Sequence, residues 1–221
     1  MSADETLKLR STSSFPSLFA AQHLHGAWKL TPSALHSTDR FALTNLSKLK
    51  SAGGNGHVTA VVETSKGSRT KLDYDVKRRC FVVSKVLPEG MSFPFDFGFI
   101  PSTTGGDGDP LDVILLLDES VPSGTVVPAR LIGVIEATQT DKRGEKVEND
   151  RLLAVGASSV LYEKVRRLSD LPGAVVEQIE QFFVNYNQLE GKKFVARDHH
   201  GARRARECVR RGSRRFASSR K

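Results

Sequence analysis

The sequence predicts a mainly β fold, a barrel or sandwich of short strands followed by a packed helix. Between His57 and Val155, short β-rich runs alternate with Gly, Pro and Asp clusters. No helix-length amphipathic segment separates those runs, which argues against parallel βαβ units. After residue 160 a strongly periodic apolar segment appears, giving the α+β character.

Strands are expected at Val58 to Glu63, Lys71 to Tyr74, Cys80 to Val86, Leu111 to Leu117, Thr125 to Ile135 and Leu152 to Val155. A helix follows: Asp170 is positioned to cap it and Pro172 suits its first turn. Val175, Val176, Ile179, Phe182, Phe183, Tyr186 and Leu189 recur at three- and four-residue steps. A second, Arg-rich helical segment is expected from about Gly201 to Arg211, where Ala205 and Val209 form a sparse apolar stripe. Residues 1–56 mix Ser, Thr, His and Leu without a sustained period and read as an irregular arm. The resulting division is an arm (1–56), a folded domain (57–196) and a basic tail (197–221).

A chain of 221 residues suits one domain with a sizeable core. The formal charge of +8 suggests an acidic partner, but its distribution changes that reading. Residues 197–221 hold ten Lys or Arg against Asp198 and Glu207, which accounts for all of it; the rest balances at 23 against 23. The body is neutral and the tail basic. A solvated, flexible end is the commonest form of such a tail, and contact with nucleic-acid phosphates is the sharper alternative.

Cys80 and Cys208, the only cysteines, suggest neither a disulfide framework nor a zinc site, so a reducing, cytoplasmic setting is expected. No run approaches the roughly 18 apolar residues of a membrane span, and Asp4 and Glu5 precede any apolar stretch, against a secretory signal. The Ser-rich start leaves organelle targeting open.

The chemistry concentrates in Gly105-Gly106-Asp107-Gly108-Asp109-Pro110-Leu111-Asp112-Val113. Glycines let the backbone fold back, and Pro110 fixes the bend before a strand. Asp107, Asp109 and Asp112 can then converge, an arrangement that repels unless a hard divalent cation sits among the oxygens. An Asp-Gly turn with solvated charges is the bland alternative. A calcium loop is disfavoured, because its twelfth position, counted from Asp107, is Asp118 rather than Glu and no helix flanks it.

Taken with Phe93-Pro94-Phe95-Asp96-Phe97-Gly98-Phe99-Ile100-Pro101 upstream, this segment resembles the soluble family I inorganic pyrophosphatases. The likeness runs from about Val58 to Phe194 and includes Leu87 to Met91, Asn149 to Leu152 and Leu189 to Lys192. It implies a small, twisted, five-stranded OB-like barrel flanked by helices, hydrolysing inorganic diphosphate to two orthophosphates with Mg²⁺. It also implies a homo-oligomer, since related enzymes form dimers or hexamers, and no membrane partner. By the same resemblance Asp107, Asp109 and Asp112 hold metal, with Asp109 accepting a proton from water. Glu63 matches a strand-end Glu, and Lys71 and Tyr186 match phosphate contacts.

Several positions depart from the better-known bacterial pattern. Lys85 stands where Arg is usual, retaining charge without the bidentate fork. Phe93 and Phe97 occupy Tyr positions. Gln139 replaces an expected Asp and Asn149 opens the segment where Asp-X-Lys is usual, leaving Asp141 or Asp150 as substitute metal ligands and Arg151 in place of the Lys. Asn187 replaces a phosphate-binding Lys, although Lys192 and Lys193 are near in sequence. These changes, with the Arg-rich tail, motivate a second reading: a catalytically weakened phosphate- or nucleic-acid-binding protein on the same scaffold. A phosphatase acting on larger phosphate esters is a third.

Overall fold

Alternation along the strands, rather than any single strand, organises the molecule. In the computed structural model, which describes residues 44–219, Val113 and Leu115 face one apolar cluster while Ile114 and Leu116 face another. Leu152 and Ala154 against Leu153 and Val155 divide the same way. Both strand faces are therefore buried, which explains the nearly continuous apolar runs; each such Val, Leu or Ile contributes about 1.5–3 kcal/mol.

The strands are β1 (Ala52–Gly54), β2 (His57–Thr64), β3 (Thr70–Asp75), β4 (Cys80–Val86), β5 (Asp96–Ile100), β6 (Leu111–Leu116), β7 (Val126–Thr140), β8 (Lys146–Glu148), β9 (Arg151–Gly156) and β10 (Lys193–Gly201). Five of them form a closed ring, β2-β5-β6-β9-β7, with β7 returning to pair with β2. Within the ring β6 and β9 run parallel and the other neighbours antiparallel. The 15-residue β7 reaches beyond the ring to hold β8 and β10. A separate hairpin, β3 and β4, stands apart.

Close approach fixes one glycine. A Cβ at Gly98 on β5 would lie 1.9 Å from the Val61 carbonyl oxygen of β2, so no larger residue fits without moving the ring.

Helix α1 (Gly173–Gln188) buries Val176, Ile179, Phe182 and Phe183 over one cluster, as its period predicts, but Leu189 is exposed. Asp170 does not cap this helix. Pro172 occupies the N-cap, and the Asp170 carboxylate instead accepts from the backbone N–H groups of Arg166 and Arg167 before a short 3-10 turn.

Helix α2 (Ala202–Ser218) is longer than expected and is not a solvated end. Ala205, Cys208, Val209 and Gly212 are buried against the second cluster, with Gly212 close against Thr103 and Leu111. The stripe is sparse because small side chains let the helix lie near the sheet. Within the expected arm, a 3-10 turn (Leu46–Lys48) and β1 are ordered, Leu46 N–H donating to the Tyr74 hydroxyl at 3.1 Å. The Ser-rich start lies outside the described residues. Among the described residues no helix is long and apolar enough to cross a membrane.

Candidate active site

A cavity of about 540 Å³ opens between the β3–β4 hairpin, the loop before β6 and the C-terminal half of α1. Glu63, Lys71, Lys85, Asp107, Asp109, Asp112, Arg151 and Tyr186 all line it. One expected residue does not. Asp150 lies behind the cavity: its Oδ1 accepts from Ala137 N–H at 3.2 Å and its Oδ2 is 3.8 Å from Arg211. The alternation of β9 turns Arg151 to the cavity and so its neighbour away. Asp141 also stays outside, its carboxylate accepting from Arg143 and Glu145 N–H in a turn.

The acidic loop is held by its own backbone. Gly105 N–H donates to the Asp109 carbonyl at 2.6 Å and Asp109 N–H to Asp107 Oδ1 at 3.1 Å, with Gly108 at φ +93°. Buried Thr103 anchors the exit, donating to the Ile100 carbonyl and accepting from Leu111 N–H at 3.0 Å. Asp112 then enters at the start of β6.

Desolvation, partial at Asp107 and Asp109 on the exposed loop and strongest at Asp112, raises the pKa of all three aspartates from the ordinary carboxylate value. Asp112 adds to the effect on Asp107, and Asp107 to that on Asp109. Arg151 and Lys71 oppose it at Asp112. Arg151 is buried, its Nη1 2.6 Å from Asp112 Oδ2 and its guanidinium 4.6 Å from the Phe183 ring centroid. Its Nε has no hydrogen-bond partner among the described residues.

On the opposite wall, Glu63 Oε1 accepts from Tyr74 N–H at 2.9 Å and its Oε2 lies 3.6 Å from Lys71 Nζ. Burial pushes Glu63 up to about 7, with Lys71 opposing. Lys71 also contacts Asp73, two residues on along β3 and so on the same face. Across the hairpin Lys71 pairs with Lys85, which contacts Glu190 and lies 4.4 Å from the Tyr186 ring centroid. Burial and Lys192 push Lys85 down to about 8.

Asp73, Ser84 and Glu190 belong to the lining although the motif reading did not single them out. For Asp73 the signal was available: strand period two from Lys71. Lys192 lines the cavity, 2.9 Å from Glu190, in the region that Asn187 leaves uncharged. The Asn187 amide turns into its own helix, donating to the Phe183 carbonyl at 2.8 Å. Gln139 and Asn149 reach the cavity but hydrogen-bond each other at 2.9 Å. At the positions of the absent tyrosine hydroxyls, Phe93 packs against Phe182, and the Phe97 ring lies 5.2 Å from Lys71 Nζ.

Several mutually raised carboxylates beside fixed cations suit a hard divalent cation with an anionic, oxygen-rich substrate. Comparison with known proteins is consistent with that chemistry. A family model described as inorganic pyrophosphatase matches residues 60–217. The chain is 34% identical over 148 residues to the inorganic pyrophosphatase of Synechocystis sp., covering 67% of this chain and 85% of that protein. The Campylobacter jejuni inorganic pyrophosphatase is 35% identical over 153 residues, 68% and 86% of the two chains. In structure, the inorganic pyrophosphatase of Thermus thermophilus superposes with a TM-score of 0.72 at 30% identity, over 79% of this chain and 99% of that one.

Proposed function

Since the chain belongs to the inorganic pyrophosphatase family, we propose that it hydrolyses inorganic diphosphate to two orthophosphates in the cavity just described. The observation that carries this is convergence: three aspartates of one loop and strand meet Lys71, Lys85, Lys192 and Arg151 around a single space.

The donor set fits a divalent cation, and Mg²⁺ is the ion we infer, held by Asp107, Asp109 and Asp112 with Glu63 on the facing wall. When bound, the ion supplies positive charge for phosphoryl oxygens and acidifies water. The chain's own groups do the rest. Asp109, exposed on the loop, takes the proton of the attacking water. Lys71 and Lys85 neutralise phosphoryl oxygens from the hairpin, and Arg151 adds its guanidinium charge at the cavity wall. Burial raises the pKa of Tyr186, so its hydroxyl stays protonated and donates. No covalent enzyme intermediate is needed.

The test is phosphate release from magnesium diphosphate by wild type and Asp109→Asn, with a magnesium-free control and with triphosphate and a nucleotide as competing substrates. The variant should lose roughly 10²–10⁴-fold in rate. A preference for the nucleotide would overturn the substrate. A second reading, a phosphate-binding protein without turnover, is favoured only by the Gln139–Asn149 amide pair. Folded wild type that binds diphosphate but releases no phosphate with any divalent metal would establish it.

A further inference from the structure

Helix α2 carries a cationic surface separate from the cavity. Arg203, Arg206, Arg210 and Arg214 are exposed and recur at steps of three, four and four residues. At 3.6 residues per turn they fall within an arc of about 80° and form a row about 16 Å long. Ala205, Cys208, Val209 and Gly212, the buried residues, occupy the opposite side. Among the described residues no acid pairs with any of the four. Their neighbours are engaged: Arg204 binds Glu136 at 2.6 Å, and Arg211 lies 3.6 Å from Glu148.

We propose that this row docks the phosphate backbone of duplex nucleic acid without reading bases. Guanidinium forks match phosphate oxygens, and a helix already packed on a sheet displays them with little ordering cost. The row carries no aromatic side chain between its arginines, so it offers no platform for stacking unpaired bases. The apolar face that a membrane-surface helix would insert is occupied by the barrel. What remains is a rigid line of charge, complementary to a rigid line of opposite charge.

The full chain should bind a labelled duplex of about 20 base pairs in fluorescence anisotropy, with a log–log salt slope of about −3.6 for four phosphate contacts. Each Arg→Gln substitution in the row should reduce that slope by about one. The combined Arg203→Gln, Arg206→Gln, Arg210→Gln, Arg214→Gln variant should bind at least about tenfold more weakly, with its thermal melt and diphosphate hydrolysis unchanged. Glutamine keeps helix propensity and the positions touch no core, so folding is preserved. Duplex binding that survives the combined variant overturns the proposal. So does tighter binding to phosphatidylserine vesicles or to a single strand of the same sequence. Hydrolysis measured in parallel keeps this outcome distinct from the fate of the active-site reading.

Discussion

Arg151 meets Asp112, Nη1 to Oδ2 at 2.6 Å, because β6 and β9 run parallel with Val113 opposite Leu152, so the residues before them are also neighbours. The pair sits at the floor of the cavity, with the Asp112 side chain 23% exposed. Removing only the guanidinium leaves a largely desolvated carboxylate. Arg151→Met should cost about 3–5 kcal/mol in metal-free denaturant unfolding, and Mg²⁺ should restore part of it by compensating Asp112. Unfolding indistinguishable from wild type would mean that the pair adds nothing to the fold.

Glu63 should make the metal-free protein less stable as pH rises. Its folded pKa of about 7 lies above the 4.5 expected when unfolded, so the folded state holds the proton more tightly. Its contribution is complete below pH 4.5 and is lost on the way to about 7. The loss is on the order of 3 kcal/mol. Unfolding at pH 5 and pH 8 should therefore differ less in Glu63→Gln than in wild type, and Mg²⁺ should oppose the loss at high pH.

Burial and Lys192 depress the Lys85 pKa to about 8, so the ammonium loses its charge as pH rises through that value. Diphosphate binding should weaken above that pH, seen as a rising KM with a smaller change in kcat. Lys85→Arg keeps its charge and should flatten the rise; the same KM profile in both proteins would remove Lys85 from substrate binding.

Gly98→Ala should destabilise by about 1–3 kcal/mol or prevent folding, since its Cβ would sit inside contact distance of the Val61 carbonyl. Thermal melts of the purified variant measure this directly, and a melt equal to wild type would show that the strands can part.

The apolar stripe of α1 and the ring strands β2, β6, β7 and β9 were legible because their burial is periodic or two-sided. The hairpin strands β3 and β4 were legible from β-rich composition, β4 being largely exposed. β5 was hidden between Pro94 and Pro101, with Gly98 inside it, and β10 by Arg197, Asp198, His199 and His200 on a strand at the end of the sheet order. The aspartates of the loop were legible from local spacing. Asp150 was not, because its exclusion depends on the face on which β9 presents Arg151. The docking of α2 was hidden by the smallness of Ala205 and Gly212, which fit where large apolar residues would collide with the sheet.

The ring also governs how the chain finds its structure. Val58 must meet Ala129, and Val113 must meet Leu152, before the five-stranded ring is closed. Such distant pairings place folding toward the slow end, milliseconds to seconds for β-dominated topologies. During synthesis β2, β5 and β6 emerge before β7 and β9 can close the ring and before α1 and α2 can cover its apolar faces. Until then the growing polypeptide presents a sticky, half-built sheet, and protection from neighbouring chains becomes part of what the cell must provide.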